Sequence, residues 1–159
     1  VLELPHEPTP VKAAEAPAPG RLSYGDLKNA FERAITKNSG DVEKAKTFFN
    51  NFVEKALDDQ FGIGIGNRLK KRQLGTFVPV FIAAGGSIGD ALDHMLVTRV
   101  LRKTVGLHDT NGEQFRMLAK RLREGWGSVG FPGRPERTIK LMNNEVRIKE
   151  PGNSESVWQ

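Results

Sequence analysis

The chain has 159 residues, 38% of them hydrophobic, and a formal net charge of +5 with a pI of about 9.6. That length suits one compact domain and is short for two of ordinary size. Cysteine is absent, which excludes disulfides and thiolate metal sites. No apolar run is long enough to cross a bilayer, and no basic start followed by an apolar stretch reads as a signal peptide.

Residues 1–4 (VLEL) read as the end of a short strand. Residues 5–20 carry Pro5, Pro8, Pro10, Pro17 and Pro19 among alanines. Proline removes backbone donors and disfavours helix in the residue before it, so this stretch is expected to be an extended linker. Residues 1–22 are accordingly set apart from a helical domain over residues 23–159. The start at Val1 rather than methionine fits a piece of a longer protein.

Helical patterning begins at Ser23, with Asp26 placed as its capping-box partner. Leu27, Phe31, Ala34 and Ile35 recur at helical spacing behind it. The triplet Asn38, Ser39, Gly40 breaks the pattern, and Asp41 can cap a second helix striped by Val42, Ala45, Phe49, Phe52, Val53 and Ala56. Two amphipathic helices joined by a short polar turn read as a helical hairpin. Residues 61–66 (FGIGIG) predict a tight loop. The basic segment NRLKKRQ follows and runs into an apolar stretch that contains Pro79, so a break or kink is expected between Leu74 and Pro79.

Ser87 with Asp90 is a second capping signature. Behind it Ile88, Ala91, Leu92, Met95, Leu96, Val100 and Leu101 form the best amphipathic helix of the chain. Residues 111–124 predict another, with Phe115, Leu118 and Leu122 facing inward, and residues 134–143 a last short one around Ile139, Leu141 and Met142. The expected fold is mainly α: a single bundle of five or six helices behind a proline-rich extension.

Catalytic motifs are missing. His6, His94 and His108 stand far apart without metal-type partners at helical spacing, and there is no serine-nucleophile motif or HExxH pair. Neither a catalytic residue nor a metal ligand is therefore assigned. A phosphate-binding P-loop needs GxxxxGK[ST], because amide groups cradle the phosphates while lysine neutralises them; it is absent. The FGIGIG stretch lacks the third glycine of a dinucleotide fingerprint at the right place. No cofactor is expected for this chain alone.

The informative cluster is Arg68 with Lys70, Lys71 and Arg72. Cations in the first turns of a helix oppose its macrodipole, so local helix stability does not explain them. A phosphate, or acidic side chains of a neighbouring subunit, would. A solvated basic face absorbed by packing explains them about equally well. Lys120, Arg121 and Arg123 form a second basic run.

The order FGIGIGNR, FVPVFIAAGG, ALDHMLVTRVLRK resembles the C-terminal helical subdomain of McrB-type and MoxR-like AAA+ ATPases. Leu118 to Leu122, Arg137 to Met142 and the pair Val157, Trp158 extend the similarity downstream. The resemblance covers the chain from about Phe61 onward and more loosely the two helices before it. It implies a lid that closes over ATP or GTP with Mg, held by an AAA+ large domain outside this chain, and that touches neighbouring subunits of a ring. By the same resemblance Arg68 matches the sensor-2 arginine, which reaches nucleotide phosphates, and the parent protein would be a cytoplasmic NTP hydrolase acting in DNA restriction, phage defence or protein remodelling. Three alternating glycines and isoleucines ahead of Arg68 leave a neighbouring basic residue as a second occupant of that position.

The alternative is a stand-alone helical module that binds DNA or RNA through Arg68, Lys70, Lys71, Arg72, Lys120, Arg121 and Arg123. A third reading, a structural adaptor docking by its helical hairpin, is compatible with the same pattern.

Overall fold

A computed structural model describes residues 23–159; the VLEL strand and the proline-rich linker lie outside them. The described residues are helical and contain no strand. Six helical rods follow one another. The first is α1 (Tyr24–Lys37). The second joins α2 (Ser39–Phe48) to α3 (Glu54–Phe61) through a wide π-type turn at Phe49–Val53. The third joins α4 (Asn67–Leu69) to α5 (Val78–Ala83) through a longer π-type segment, Lys70–Phe77. The fourth runs from α6 (Ile88–Met95) through Leu96–Val100 into a 3₁₀ turn, Leu101–Lys103. The last two are α7 (Gly112–Val129) and α8 (Glu136–Lys149).

The chain divides into two compact units after Arg33. Of the first unit, the described residues are the opening turns of α1. Ser23 caps them as expected: its hydroxyl accepts the Asp26 N–H at 3.1 Å, and the Asp26 carboxylate accepts the Ser23 N–H at 3.2 Å and hydroxyl at 2.8 Å. Those bonds to the ionised form hold the Asp26 carboxyl below its ordinary pKa. The stripe forms a helix but not a core. No residue of α1 is buried, and Tyr24, Leu27, Phe31 and Ile35 are exposed. The helical spacing read in the sequence is therefore met by a helix, and period by itself reports no burial.

The second unit, residues 34–159, holds the hydrophobic core. Asn38 alone interrupts the chain between α1 and α2, its side-chain amide donating to the carbonyls of Ala34 at 2.9 Å and Pro79 at 3.3 Å. The helix then restarts at Ser39, so Asp41 sits in the first turn instead of at the cap. The π-type turn at Phe49–Val53 follows. Phe48 and Phe49 are both buried at its entry: they lie three and four residues after buried Ala45, on one helix face. Phe48 packs edge-on against Trp126 and Phe131, with ring centroids 5.7 and 5.4 Å away. The Trp126 indole N–H donates to the Gly133 carbonyl at 3.1 Å, so the ring is buried with its polar atom satisfied.

Pro79 neither breaks nor ends its helix. The rod is continuous from Asn67 to Ala83, and the expected break is replaced by the wide segment just ahead of the proline. A proline ring collides with the carbonyl four residues earlier and lacks the N–H to bond it. A locally wider helix takes that carbonyl out of the way without interrupting the rod.

Helices α6 and α7 start as expected. The Ser87 hydroxyl accepts the Asp90 N–H at 3.0 Å, and Asn111 exchanges bonds with Gln114 in a reciprocal capping box. Helix α7 runs past its expected end at Glu124, through Gly125 and Gly127, to a glycine cap at Gly130 with φ of 76°. Gly125 belongs in the helix because Phe52 lies on it: a methyl group there would meet the Phe52 ring at 2.5 Å. Helix α8 likewise continues beyond Asn143 because Val146 supplies one more buried turn. The last residues fold back on α8, where the Asn143 side-chain carbonyl accepts the Val157 N–H at 2.8 Å, and Val157 and Trp158 pack on the core.

Candidate functional site

The glycine-rich loop and the rod behind it set the position of the basic cluster. Helix α3 ends at Gly62, whose φ of 64° is left-handed and therefore suits glycine. The Gly62 N–H donates to the Asp58 carbonyl at 2.9 Å and the Ile63 N–H to the Leu57 carbonyl at 3.3 Å, closing the helix end. Ile65 is buried and pins the middle of the loop to the core. Gly66 then enters the next rod in an extended conformation with no side-chain cap. Its carbonyl accepts the N–H groups of Leu69 and Lys70, while the first-turn N–H groups of Asn67 and Arg68 precede any intrahelical acceptor.

The four cations of this segment have different surroundings. Arg68 is exposed on the first turn and has neither an ion pair nor a hydrogen bond among the described residues. Lys71 and Arg72 are also exposed and have no ion pair among the described residues. Lys70 is different: its ammonium pairs with the Glu54 carboxylate of α3, and both side chains are partly buried. That pair ties the third rod to the second. Lys70 is thus engaged within the fold, and its charge is compensated before any partner arrives.

Lys70 and Lys71 share an open hollow of about 280 Å³ with Lys46, Asn50, Asn67 and Leu74. Lys46 was not singled out in the sequence because it lies on α2, some twenty residues before the cluster; only the packing of two rods brings it here. Its ammonium bonds to Glu43 at 2.8 Å, one turn earlier. The hollow therefore holds three lysines, two of which have a carboxylate of their own.

The second basic run does not join the first. Lys120 and Arg123 project from α7 into solvent, and Arg121 points to Asp59 of α3 at 3.9 Å, an exposed pair worth little by itself. None of the described hydrogen bonds or ion pairs links this run to the Arg68 segment.

The two described histidines, His94 and His108, give no catalytic grouping, and His6 lies outside the described residues. Half-buried His94 lies against the Phe77 ring with centroids 5.7 Å apart, and its Nδ1 accepts from the Arg137 guanidinium at 3.3 Å. His108 is exposed and borders a second open hollow with Asp109, Thr110 and Gln114. Among the described residues no three His, Asp or Glu side chains are placed to hold a metal ion. Among the described helices none is long and apolar enough to cross a membrane.

One buried carboxylate that the sequence did not mark joins two helices. Asp93 of α6 is buried and accepts three hydrogen bonds from the start of α8: the Arg137 N–H, the Thr138 N–H and the Thr138 hydroxyl. Its role is to fix α8, whose own N-cap position, Pro135, offers no side-chain acceptor. Comparison with protein-family models, curated proteins and solved structures finds no match for the chain.

Proposed function

We propose that the chain works as the C-terminal helical lid of an AAA+ NTP-driven machine, with Arg68 reaching the phosphates of ATP or GTP bound with Mg by a large domain outside this chain. The observation that carries the reading is the contrast within one helical turn: Lys70 is neutralised by Glu54, whereas Arg68 stands exposed behind a glycine loop with no partner among the described residues. A guanidinium suits phosphate because its charge is permanent and its planar fork of N–H groups matches two oxygens. The free amides of the first turn add a weaker attraction for negative charge. Motion of a lid follows from the same contact. When the terminal phosphate leaves, the differential binding that favoured the closed position leaves with it, and the equilibrium returns to the open one.

The order of segments from FGIGIGNR to ALDHMLVTRVLRK supports the same reading through its resemblance to McrB-type and MoxR-like lids. The test is nucleotide hydrolysis by the whole parent protein carrying Arg68→Ala. Lid action requires turnover to fall by at least tenfold with the assembly intact. Unchanged turnover, or a parent sequence with no P-loop, sinks the proposal.

A second reading, a free-standing nucleic-acid module, draws on the exposed Lys71 and Arg72 beside the three-lysine hollow. Phosphate-driven binding weakens steeply with salt, which a lid acting on nucleotide alone does not require.

A further inference from the structure

The strongest unassigned feature is the outward face of α8. Its inward face is Thr138, Ile139, Met142 and Val146, all buried. The helix is held at both ends, by Asp93 at its start and by the bidentate pair of Arg116 with Glu150 just beyond its end. The opposite face presents Arg137, Lys140, Asn144, Arg147 and Ile148, all exposed, with Ile148 at 71%. Here no described carboxylate pairs with Arg137, Lys140 or Arg147. Glu136, the acid of this face, lies 3.8 Å from Arg134 instead. Arg137 uses a guanidinium N–H on His94, which leaves its charge uncompensated. Between these cations Lys140, Asn143, Asn144 and Arg147 rim an open hollow of about 280 Å³, which Ile139 and the Glu136 carboxylate also line.

We propose that this face of α8 binds B-form DNA by lying in the major groove, a surface separate from the Arg68 segment and from the run on α7. The dimensions agree. Ten residues at ~1.5 Å rise separate Arg137 from Arg147 by ~15 Å, enough to reach the phosphates on either side of a groove ~12 Å wide. An exposed helix of ordinary diameter fits that groove, whereas the major groove of A-form RNA is too deep and narrow to admit it. Asn144 lies between the outer cations, where its amide can both donate to and accept from an adenine edge. Ile148 offers an apolar contact of the kind that thymine methyl groups accept. The packed, doubly anchored helix also loses little freedom on binding. The proposal takes up the nucleic-acid reading, moves its contact surface to α8, and is compatible with a lid, since Arg68 is not used.

Fluorescence anisotropy of the full chain with a labelled 20-base-pair duplex tests it, read as affinity against salt. Three phosphate contacts give a log–log slope of about −2.7, a loss of about 40-fold between 50 and 200 mM salt. Lys140→Ala with Arg147→Ala should flatten the slope by about 1.8, and Asn144→Ala should leave the slope while reducing preference for A·T-rich over G·C-rich duplexes. These positions are exposed, and unchanged helical circular dichroism confirms that each variant folds. Absence of salt-dependent DNA binding by the native chain overturns both the surface and the nucleic-acid reading. Binding that survives Lys140→Ala with Arg147→Ala but fails in Lys71→Ala with Arg72→Ala overturns the α8 surface alone.

Discussion

Asp93 caps a helix that begins more than forty residues after it, accepting the Thr138 N–H at 2.8 Å and the Thr138 hydroxyl at 2.7 Å through one oxygen and the Arg137 N–H at 3.0 Å through the other. Two orphan donors of the first turn of α8 are thereby satisfied by a side chain from α6. Replacement by alanine removes the cap and leaves buried donors without partners. Losing the cap and leaving its donors unpaired are one effect, on the order of 1–3 kcal/mol, and Asp93→Ala should destabilise the chain by about that much in urea unfolding. A loss below 1 kcal/mol would show that water replaces the carboxylate and that α8 is held by packing alone.

Gly125 supports a prediction of opposite sign to helix propensity. Alanine in a helix interior usually gains about 1 kcal/mol over glycine. Here the added methyl would stand 2.5 Å from Phe52 Cγ and 2.8 Å from its Cβ. The near end of a side chain cannot swing away, and overpacking of this kind costs about 1–3 kcal/mol. Gly125→Ala should therefore lower stability by about 1–2 kcal/mol, while Gly127→Ala, which meets nothing within 4 Å, should raise it. Thermal unfolding of the two variants side by side decides the matter, and equal melting temperatures would contradict the close approach.

The contrast between these residues shows which parts of the fold were legible. Ser23 and Ser87 announce their helices because a capping box is local and its partner lies three residues on. Asp93 carries no such mark, since its partners are fixed by tertiary packing. Gly125 reads as a helix ending, and only the approach of Phe52 turns it into a requirement. Phe48 is missing from the sequence stripe although it lies three residues after Ala45, on the same helix face as Phe49. Leu27 and Phe31 show the converse: their period reports a helix faithfully and says nothing of whether another surface covers it. At the candidate site the run of cations was visible, but not which of them Glu54 would neutralise, nor that Lys46 would share their hollow.

The start of α1 should respond to acid. Asp26 has a carboxyl pKa below its ordinary value because the Ser23 hydroxyl and N–H bond to the ionised form. A depressed folded value means that its contribution is complete above the ordinary aspartate range and fades as pH falls through the folded value. Protection factors of the first α1 turn, with the intrinsic pH dependence of exchange divided out, should therefore fall on acidification, and Ser23→Ala should move the Asp26 titration upward, as followed by carboxyl chemical shifts. Identical titration curves with and without the Ser23 hydroxyl would rule the cap out as the cause.

Arg68 and Lys70 stand two residues apart and should separate stability from function. Lys70 is paired with Glu54 in a partly buried position, and truncation leaves that carboxylate without its cation. A loss of about 1 kcal/mol is expected for Lys70→Ala, at the upper end for exposed pairs, with a similar loss for Glu54→Ala and a smaller one for the double variant than for the sum of the two. Arg68 has no partner to lose among the described residues, and cations at a helix start oppose the macrodipole. Arg68→Ala should thus leave the melting temperature of the isolated chain unchanged or raise it slightly. Its effect should appear only when nucleotide is present, as lost hydrolysis in the parent protein. If Arg68→Ala destabilised the isolated chain as much as Lys70→Ala, the arginine would be serving the fold, and the contrast on which the lid reading rests would disappear.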